Sequence, residues 1–167
     1  WWELRGEPDN PKLFELSCSA EGIGWLVSEG WQWVFIDTPP ALIDQIAEAV
    51  AIADFVLIPT RASAIDVEAV SVVTEICREQ ERPFAFVLNQ VEPGWKLTKS
   101  AVEYLSEEGL VLAPQIAYRR AYISAMTAGK SAPEIERGSA SSDEIEALFQ
   151  AVKKLTTKAI RNRAHGR

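Results

Sequence analysis

The stretch Phe55-Val56-Leu57-Ile58-Pro59 indicates the fold class, because it contains four consecutive apolar residues that are followed by a proline. Similar runs lie at residues 33–36, 84–88 and 110–113, and a weaker one lies at 13–16. Continuous apolar runs of this length are typical of strands that are buried on both faces of a parallel sheet. We therefore predict a strand at each of these runs.

Helical patterns fill the segments between the predicted strands. Apolar residues recur at spacings of three and four over 19–29, 41–52, 65–79, 96–108 and 141–160. Alternating strands and helices with short connections predict a single α/β domain over residues 1–167, with an open, mostly parallel sheet flanked by helices. Residues 130–141 are predicted to be the longest irregular segment.

The charge is unevenly distributed along the chain. The net charge is −7, yet residues 150–167 hold six of the 17 basic side chains and none of the 24 acidic ones. Basic residues suit the C-terminal end of a helix, and they also suit local contact with a polyanion, so both interpretations stay open. No apolar run approaches the roughly 20 residues of a membrane helix.

The two cysteines are predicted to be reduced and buried. Cys18 and Cys77 are far apart, no Cys-x-x-Cys pair is present, and His165 is the single histidine. This pattern favours free thiols in a cytosolic protein over a disulfide or a metal site.

Ligands of open α/β sheets bind at the carboxyl ends of the strands, so the residues that follow each predicted strand are the first candidates for a site. They are Asp37-Thr38-Pro39-Pro40, Pro59-Thr60-Arg61, Asn89-Gln90 and Pro114-Gln115-Ile116. An aspartate in this position can hold Mg²⁺ beside a nucleotide, or it can simply cap a turn. Two consecutive prolines would hold the loop after it in an extended conformation.

Several blocks of the chain together resemble a known protein family. The segment Trp33-Val34-Phe35-Ile36-Asp37-Thr38-Pro39-Pro40 joins an apolar run to an aspartate and two prolines. It is similar to the Walker B segment of the ParA/MinD family of deviant-Walker ATPases. Residues 63–66 resemble small plasmid-partition ParA proteins of the ParF kind. The blocks at 53–60, 88–90, 116–122 and 140–148, together with Gly129 and Glu134, are also similar and follow the family's order.

The resemblance implies a P-loop NTPase-like fold and a full-length ATPase of plasmid or chromosome partition. Such a protein binds Mg-ATP, dimerises around it and associates with DNA without sequence preference. A centromere-binding ParB-like partner stimulates hydrolysis, and the protein works in the cytoplasm on the nucleoid rather than at a membrane.

The same resemblance implies a set of site residues. The expected nucleotide site comprises Asp37, Thr38, Asp66, Asn89, Pro114 and Gln115, with Asp37 as the magnesium carboxylate. Asp66 could instead be a helix-start carboxylate that needs no ligand, and Asn89 could be a turn residue. No catalytic base is assigned, because the family positions the attacking water with groups outside these blocks.

Paired arginines are predicted to begin a short helix. Arg119 and Arg120 are unfavourable at a helix start because of the helix dipole, which points to an external anion or to an acidic side chain of the protein itself. The predicted DNA-binding residues are Arg119, Arg120, Lys153, Lys154 and Lys158.

One departure from the family pattern is large. The family begins with a strand and a Lys-Gly-Gly-x-Gly-Lys-Thr type loop, whereas this chain begins with Trp1 and resembles the family only from about one βαβ unit onward. Gly129-Lys130-Ser131 is not such a loop, since position 124 is Ser where a Walker A motif needs Gly. We expect the chain as given to bind ATP poorly and to expose apolar sheet edges.

Two other functions stay open beside partition. A noncatalytic ParA-like adaptor would act through protein contacts alone. A MinD-like positioning ATPase would need an amphipathic C-terminal membrane helix, and the basic tail at 160–167 has almost no apolar face.

Overall fold

A parallel three-stranded sheet forms the centre of the computed structural model, which describes residues 1–15, 19–39, 42–92 and 94–165. The strands are β1 (Val56–Thr60), β2 (Phe84–Leu88) and β3 (Leu110–Val111), in the order β1-β2-β3. β1 and β2 pair along their full length, and β2 and β3 pair over two residues. The predicted α/β class with an open parallel sheet is therefore confirmed.

Helices account for most of the remaining described residues. They are α1 (Ala20–Ser28), α2 (Ile43–Ile52), α3 (Ala64–Ala69), α4 (Ser71–Glu79), α5 (Lys96–Glu108), α6 (Arg120–Thr127), α7 (Ala132–Ile135) and α8 (Ala140–His165), with a 3-10 turn at Glu3–Arg5. α1 begins at Ala20 because the Ser19 side chain accepts a hydrogen bond from the Gly22 amide at 3.1 Å.

The sheet is covered on both faces, as its apolar strands require. Ile58, Phe86 and Leu88 pack with Leu105 of α5 on one face. Ala85 and Val87 face the other way and pack against an apolar stripe of α8, formed by Ile145, Leu148, Ala151, Val152 and Leu155. Successive strand residues point to opposite faces, so a strand buried on both faces reads as a continuous apolar run.

The predicted strand at 33–36 is wrong. These residues are in no strand or helix, and no backbone hydrogen bond joins them to a strand within the described ranges. Phe35 is 76% exposed, and Val34 is exposed as well. A strand exists only through pairing with a neighbour, and the apolar run cannot supply that neighbour by itself. Pro40, at the end of the loop predicted to follow this strand, lies outside the described residues.

The predicted strand at 110–113 is shorter than expected, and the weak one at 13–16 is not supported. β3 ends at Val111, and the chain leaves the sheet at 113–115 before Val91 and Ala117 form an isolated parallel bridge. Pro114 has no N–H to donate to a ladder, which fits this interruption. Residues 13–15 are not in a strand, and Leu16 lies outside the described residues.

Two further element predictions need correction. The helix expected over 65–79 is divided into α3 and α4 at Val70, where the Ser71 hydroxyl donates to the Glu68 carbonyl at 2.8 Å. Such back-bonding bends helices. The segment 130–141 is not wholly irregular, because α7 occupies four of its residues. Its start is a capping box, in which the Ser131 amide donates to the Glu134 carboxylate at 2.8 Å.

The cysteine prediction is confirmed for Cys77, and Cys18 lies outside the described residues. Cys77 is a free thiol with no exposed surface, packed with Val50 and Ile76 between α2 and α4. Burial raises the pKa of the Cys77 thiol to about 11, so it stays protonated and unreactive at neutral pH.

Candidate functional site

The carboxyl ends of the strands bring together three of the predicted site segments. Thr60, which ends β1, is in register with Leu88, which ends β2. The Asn89 amide donates to the Thr60 carbonyl at 2.8 Å, and the Ile116 amide donates to the Leu88 carbonyl at 2.9 Å. Hydrogen bonds of the sheet therefore place the segments that follow β1, β2 and β3 side by side along one edge.

Asn89 has the geometry of a turn residue. Its side-chain oxygen accepts a hydrogen bond from the Gln90 amide at 2.9 Å, and Gln90 has a φ of 56°. The left-handed conformation at Gln90 turns the chain away from the sheet. The turn interpretation of Asn89 is thus seen directly, while its side-chain nitrogen makes no hydrogen bond to another described residue.

Pro114 and Gln115 lie in the short arch between β3 and Ile116. Both residues are half-buried. Both ends of the arch are attached to β2, because the Leu112 amide donates to the Phe86 carbonyl at 2.9 Å and the Ile116 amide donates to the Leu88 carbonyl. The backbone of this arch is therefore fixed relative to Asn89 by the sheet itself. The assignment of Pro114 and Gln115 to a nucleotide site stays a prediction.

Asp66 lies in the first turn of α3, next to the end of β1. Its amide donates to the Ser63 side chain at 3.2 Å, and its carboxylate accepts hydrogen bonds from Ser63 and from Arg61 at 2.9 Å. The hydrogen bond from Arg61, followed by that from Ser63, lowers the pKa of Asp66. Asp66 is thus an ionised carboxylate with internal partners.

Asp37 and Thr38 are not joined to this edge by any hydrogen bond or ion pair within the described ranges. Asp37 is exposed and Thr38 is half-buried, and both follow the unpaired segment at 33–36. Trp33 of that segment stacks on Phe35 and lies 5.9 Å from the Phe149 ring of α8, measured between ring centroids. No group of three metal-ligating side chains is present in the part of the chain that the structure describes.

Arg119 is held by an internal carboxylate. Its Nη2 lies 2.6 Å and its Nε 3.0 Å from the Glu144 carboxylate, which also accepts hydrogen bonds from the Tyr122 hydroxyl at 2.7 Å and the Ala117 amide at 3.3 Å. Partial burial acts to raise the pKa of Glu144, but the hydrogen bonds from Arg119, Tyr122 and Ala117 outweigh it and lower the pKa. The acidic side chain anticipated for this arginine pair is therefore present, at Glu144.

The remaining predicted DNA-binding residues are exposed. Arg120 begins α6, and Lys153, Lys154 and Lys158 lie on the side of α8 that faces away from its apolar stripe. None of the four forms an ion pair with another described residue. Together with Arg161, the three lysines line a shallow groove along α8, which we call the basic stripe.

Gly129-Lys130-Ser131 lies between α6 and α7 and does not follow a strand. Gly129 has a φ of 66°, and a Cβ atom there would lie 2.6 Å from the backbone of Leu4. Arg5 forms an ion pair with Glu134 in the same region. The glycine is thus explained by close packing against the first residues of the chain.

Arg61 belongs to a candidate segment after a strand but not to the expected nucleotide-site residues, and Glu144 belongs to neither set. Arg61 directly follows β1, and a position directly after a predicted strand marks a residue as a site candidate in the sequence. Glu144 gave no comparable signal, because its partners Ala117, Arg119 and Tyr122 lie more than 20 residues away in sequence.

Comparison with known proteins found no matching family model and no matching curated protein for this chain. In the described ranges, no helix combines the length and the apolar character needed to cross a membrane.

Proposed function

We propose that this chain belongs to the nucleotide-binding domain of a ParA-like partition ATPase with a P-loop NTPase-like fold. The observation that carries the proposal is the carboxyl edge of the sheet, where the segments after β1, β2 and β3 lie side by side. Nucleotides bind at this edge in open α/β sheets. The sequence blocks that resemble the ParA/MinD family occur in the family's order, which adds support. This resemblance indicates ATP as the ligand and DNA partition as the process.

The proposed nucleotide site uses the edge as follows. Asn89 and the arch at Pro114 and Gln115 receive the base, and Asp66 lies at the phosphate side near β1. Asp37, with Thr38 beside it, is the proposed magnesium carboxylate, because carboxylates are preferred Mg²⁺ ligands. This assignment rests on the Walker B resemblance, since no hydrogen bond or ion pair joins Asp37 to the edge within the described ranges.

The proposed DNA contact uses the basic stripe of α8 and Arg120. These side chains are exposed and have no ion-pair partner among the described residues, so their charges are available to phosphate groups. Arg119 contributes less than Arg120, because Glu144 neutralises it. The bound form is an ATP-dependent homodimer on nucleoid DNA in the cytoplasm, activated by a ParB-like partner.

A noncatalytic adaptor is the second candidate, and a specific feature favours it. Large apolar side chains are exposed in α1 and in the segment at 33–36, including Phe35 at 76%, Val27 at 62% and Trp25 at 46%. Exposed apolar surface often marks a site of protein contact. An adaptor would use such a surface and would need no nucleotide.

The test compares ATP hydrolysis by the protein from the complete reading frame that encodes this chain with hydrolysis by its Asp37→Ala variant. We expect the variant to lose at least roughly tenfold in rate, because the magnesium carboxylate is gone. Glu29→Ala removes an exposed carboxylate from the end of α1 and serves as the matched control. Unchanged hydrolysis in Asp37→Ala, or none in the unaltered protein, would contradict the proposal.

The 167-residue chain alone gives a second measurement. It contains no Gly-x-x-x-x-Gly-Lys-Ser/Thr motif, and most phosphate binding in such enzymes comes from that loop. We expect titration calorimetry to detect no micromolar binding of ATP by this chain.

A further inference from the structure

Two cationic side chains, Arg61 and Arg119, lie in the segments that follow the strands at the carboxyl edge. Arg61 comes directly after β1, and Arg119 comes at the start of α6. Any phosphorylated ligand at this edge carries negative charge that a nearby guanidinium can neutralise. The two arginines differ in how firmly the protein itself holds them.

Arg119 is held by the protein itself through two of its five N–H donors. Its Nε and Nη2 both donate to Glu144, whose side chain is only 18% exposed. Removing Arg119 from this carboxylate would leave a half-buried charge without its main partner, which is costly.

Arg61 is in a different situation. Its side chain is 61% exposed and makes one hydrogen bond, from Nη2 to the Asp66 carboxylate. A guanidinium has five N–H donors, so most donors of Arg61 are not used by the described residues. Arg61 lies beside Asn89 in the chain fold, because the Asn89 amide donates to the carbonyl of Thr60, the residue just before Arg61.

Asp66 orients this guanidinium and is itself held in place. Ser63 caps α3 by accepting from the Asp66 amide at 3.2 Å, and its hydroxyl donates back to the Asp66 carboxylate. The carboxylate oxygen that Ser63 does not use accepts from Arg61. The chain of contacts from Ser63 through Asp66 therefore fixes one side of Arg61 and leaves its other side open.

We infer that Arg61 binds the phosphate groups of the ligand at the carboxyl edge and that Asp66 is the residue that positions it. This inference rests on the proposed function, since it assumes that a nucleotide binds at that edge. It assigns Asp66 an indirect role, in which the carboxylate touches Arg61 rather than the nucleotide.

The experiment measures the affinities of ADP and adenosine for the protein from the complete reading frame, in the unaltered form and in Arg61→Ala. We expect Arg61→Ala to weaken ADP binding roughly tenfold or more and to leave adenosine binding unchanged, because only ADP has phosphates. Arg78→Ala is the control, since Arg78 also pairs with a carboxylate, that of Glu108, but lies at the end of α4.

The Asp66→Asn variant tests whether Asp66 affects ADP binding by positioning Arg61 or only through its negative charge. The variant removes a negative charge near the ligand, so simple electrostatics predicts tighter ADP binding. Positioning predicts weaker ADP binding, with adenosine unaffected, because Arg61 loses its orienting partner. Tighter ADP binding in Asp66→Asn would overturn the positioning role.

The remaining outcomes are distinct. If the unaltered protein binds ADP and Arg61→Ala binds it equally well, the inference fails while the proposed function stands. If the unaltered protein binds neither ADP nor ATP, the proposed function fails and the inference falls with it.

Discussion

Glu144 shows how one side chain joins three parts of the molecule. It belongs to α8, yet it accepts hydrogen bonds from Arg119 and Tyr122 of the α6 region and from the Ala117 amide next to the sheet. Its carboxylate has four donors in all, and its side chain is only 18% exposed. A neutral side chain there would leave these donors less well satisfied.

Glu144→Gln is therefore expected to lower the free energy of unfolding by about 2 kcal/mol, measured by urea denaturation. Glu146→Gln is the matched control, since Glu146 is an exposed residue of the same helix and forms no ion pair with a described residue. The one hydrogen bond that the Glu146 carboxylate accepts comes from the Gln150 side chain, and a glutamine oxygen can accept it as well. Equal stability of the two variants would show that the Glu144 contacts do not stabilise the protein in solution.

The unaltered protein and Glu144→Gln should also differ with pH in a defined direction. The folded-state pKa of Glu144 lies below its ordinary value. The contribution of its ionised carboxylate to the free energy of unfolding is therefore fully present above the unfolded pKa of about 4.3. It is lost as the pH falls through the folded pKa. The stability difference between the two proteins should therefore be constant near neutral pH and shrink below about pH 4.

At the scale of elements, α8 combines an apolar stripe, an acidic first turn and a basic end. It has 26 residues, which corresponds to a length of about 39 Å. Asp143 lies in its first turn and Arg163 in its last turn, an order that the helix dipole favours. The lysines of the basic stripe lie before the last turn, and exposed lysines are common on solvated helix faces, so the DNA contact needs a direct test.

Replacing Lys153, Lys154 and Lys158 together by Gln should weaken binding to duplex DNA in the presence of Mg-ATP. If all three lysines contact phosphates, the slope of log affinity against log salt should fall by about 2 to 3. The control replaces Lys12, Lys96 and Lys99 by Gln, which changes the net charge equally on other exposed segments. Equal losses in both variants would show that net charge alone, rather than the basic stripe, determines affinity.

The elements also show what sequence can and cannot predict. The helix predicted over 96–108 has those bounds in the structure, because a helix forms its hydrogen bonds within one segment. The strand over 84–88 is predicted equally well, since it is paired on both sides. The prediction of a strand over 33–36 fails because pairing depends on a second segment. The places of Asn89 and the Pro114–Gln115 arch follow from their positions after strands, whereas the Arg119–Glu144 pair requires the fold.

At the scale of the whole molecule, apolar side chains are divided between a well-buried sheet and exposed segments outside it. Phe86 lies at the centre of the sheet with no exposed surface, between β1 and β3. Phe35 has the same side chain and belongs to an equally apolar run, yet it is 76% exposed. Comparing the stability of variants at these two phenylalanines therefore tests whether residues 33–36 are part of the core.

Phe86→Ala should lower the free energy of unfolding by about 3–5 kcal/mol, because it removes a large side chain from a packed core. Phe35→Ala should change it by less than about 0.5 kcal/mol, as is usual for exposed positions. Urea denaturation of the 167-residue chain measures both, and failure of Phe86→Ala to fold agrees with the expected loss. A cost of several kcal/mol for Phe35→Ala would show that 33–36 is buried in solution.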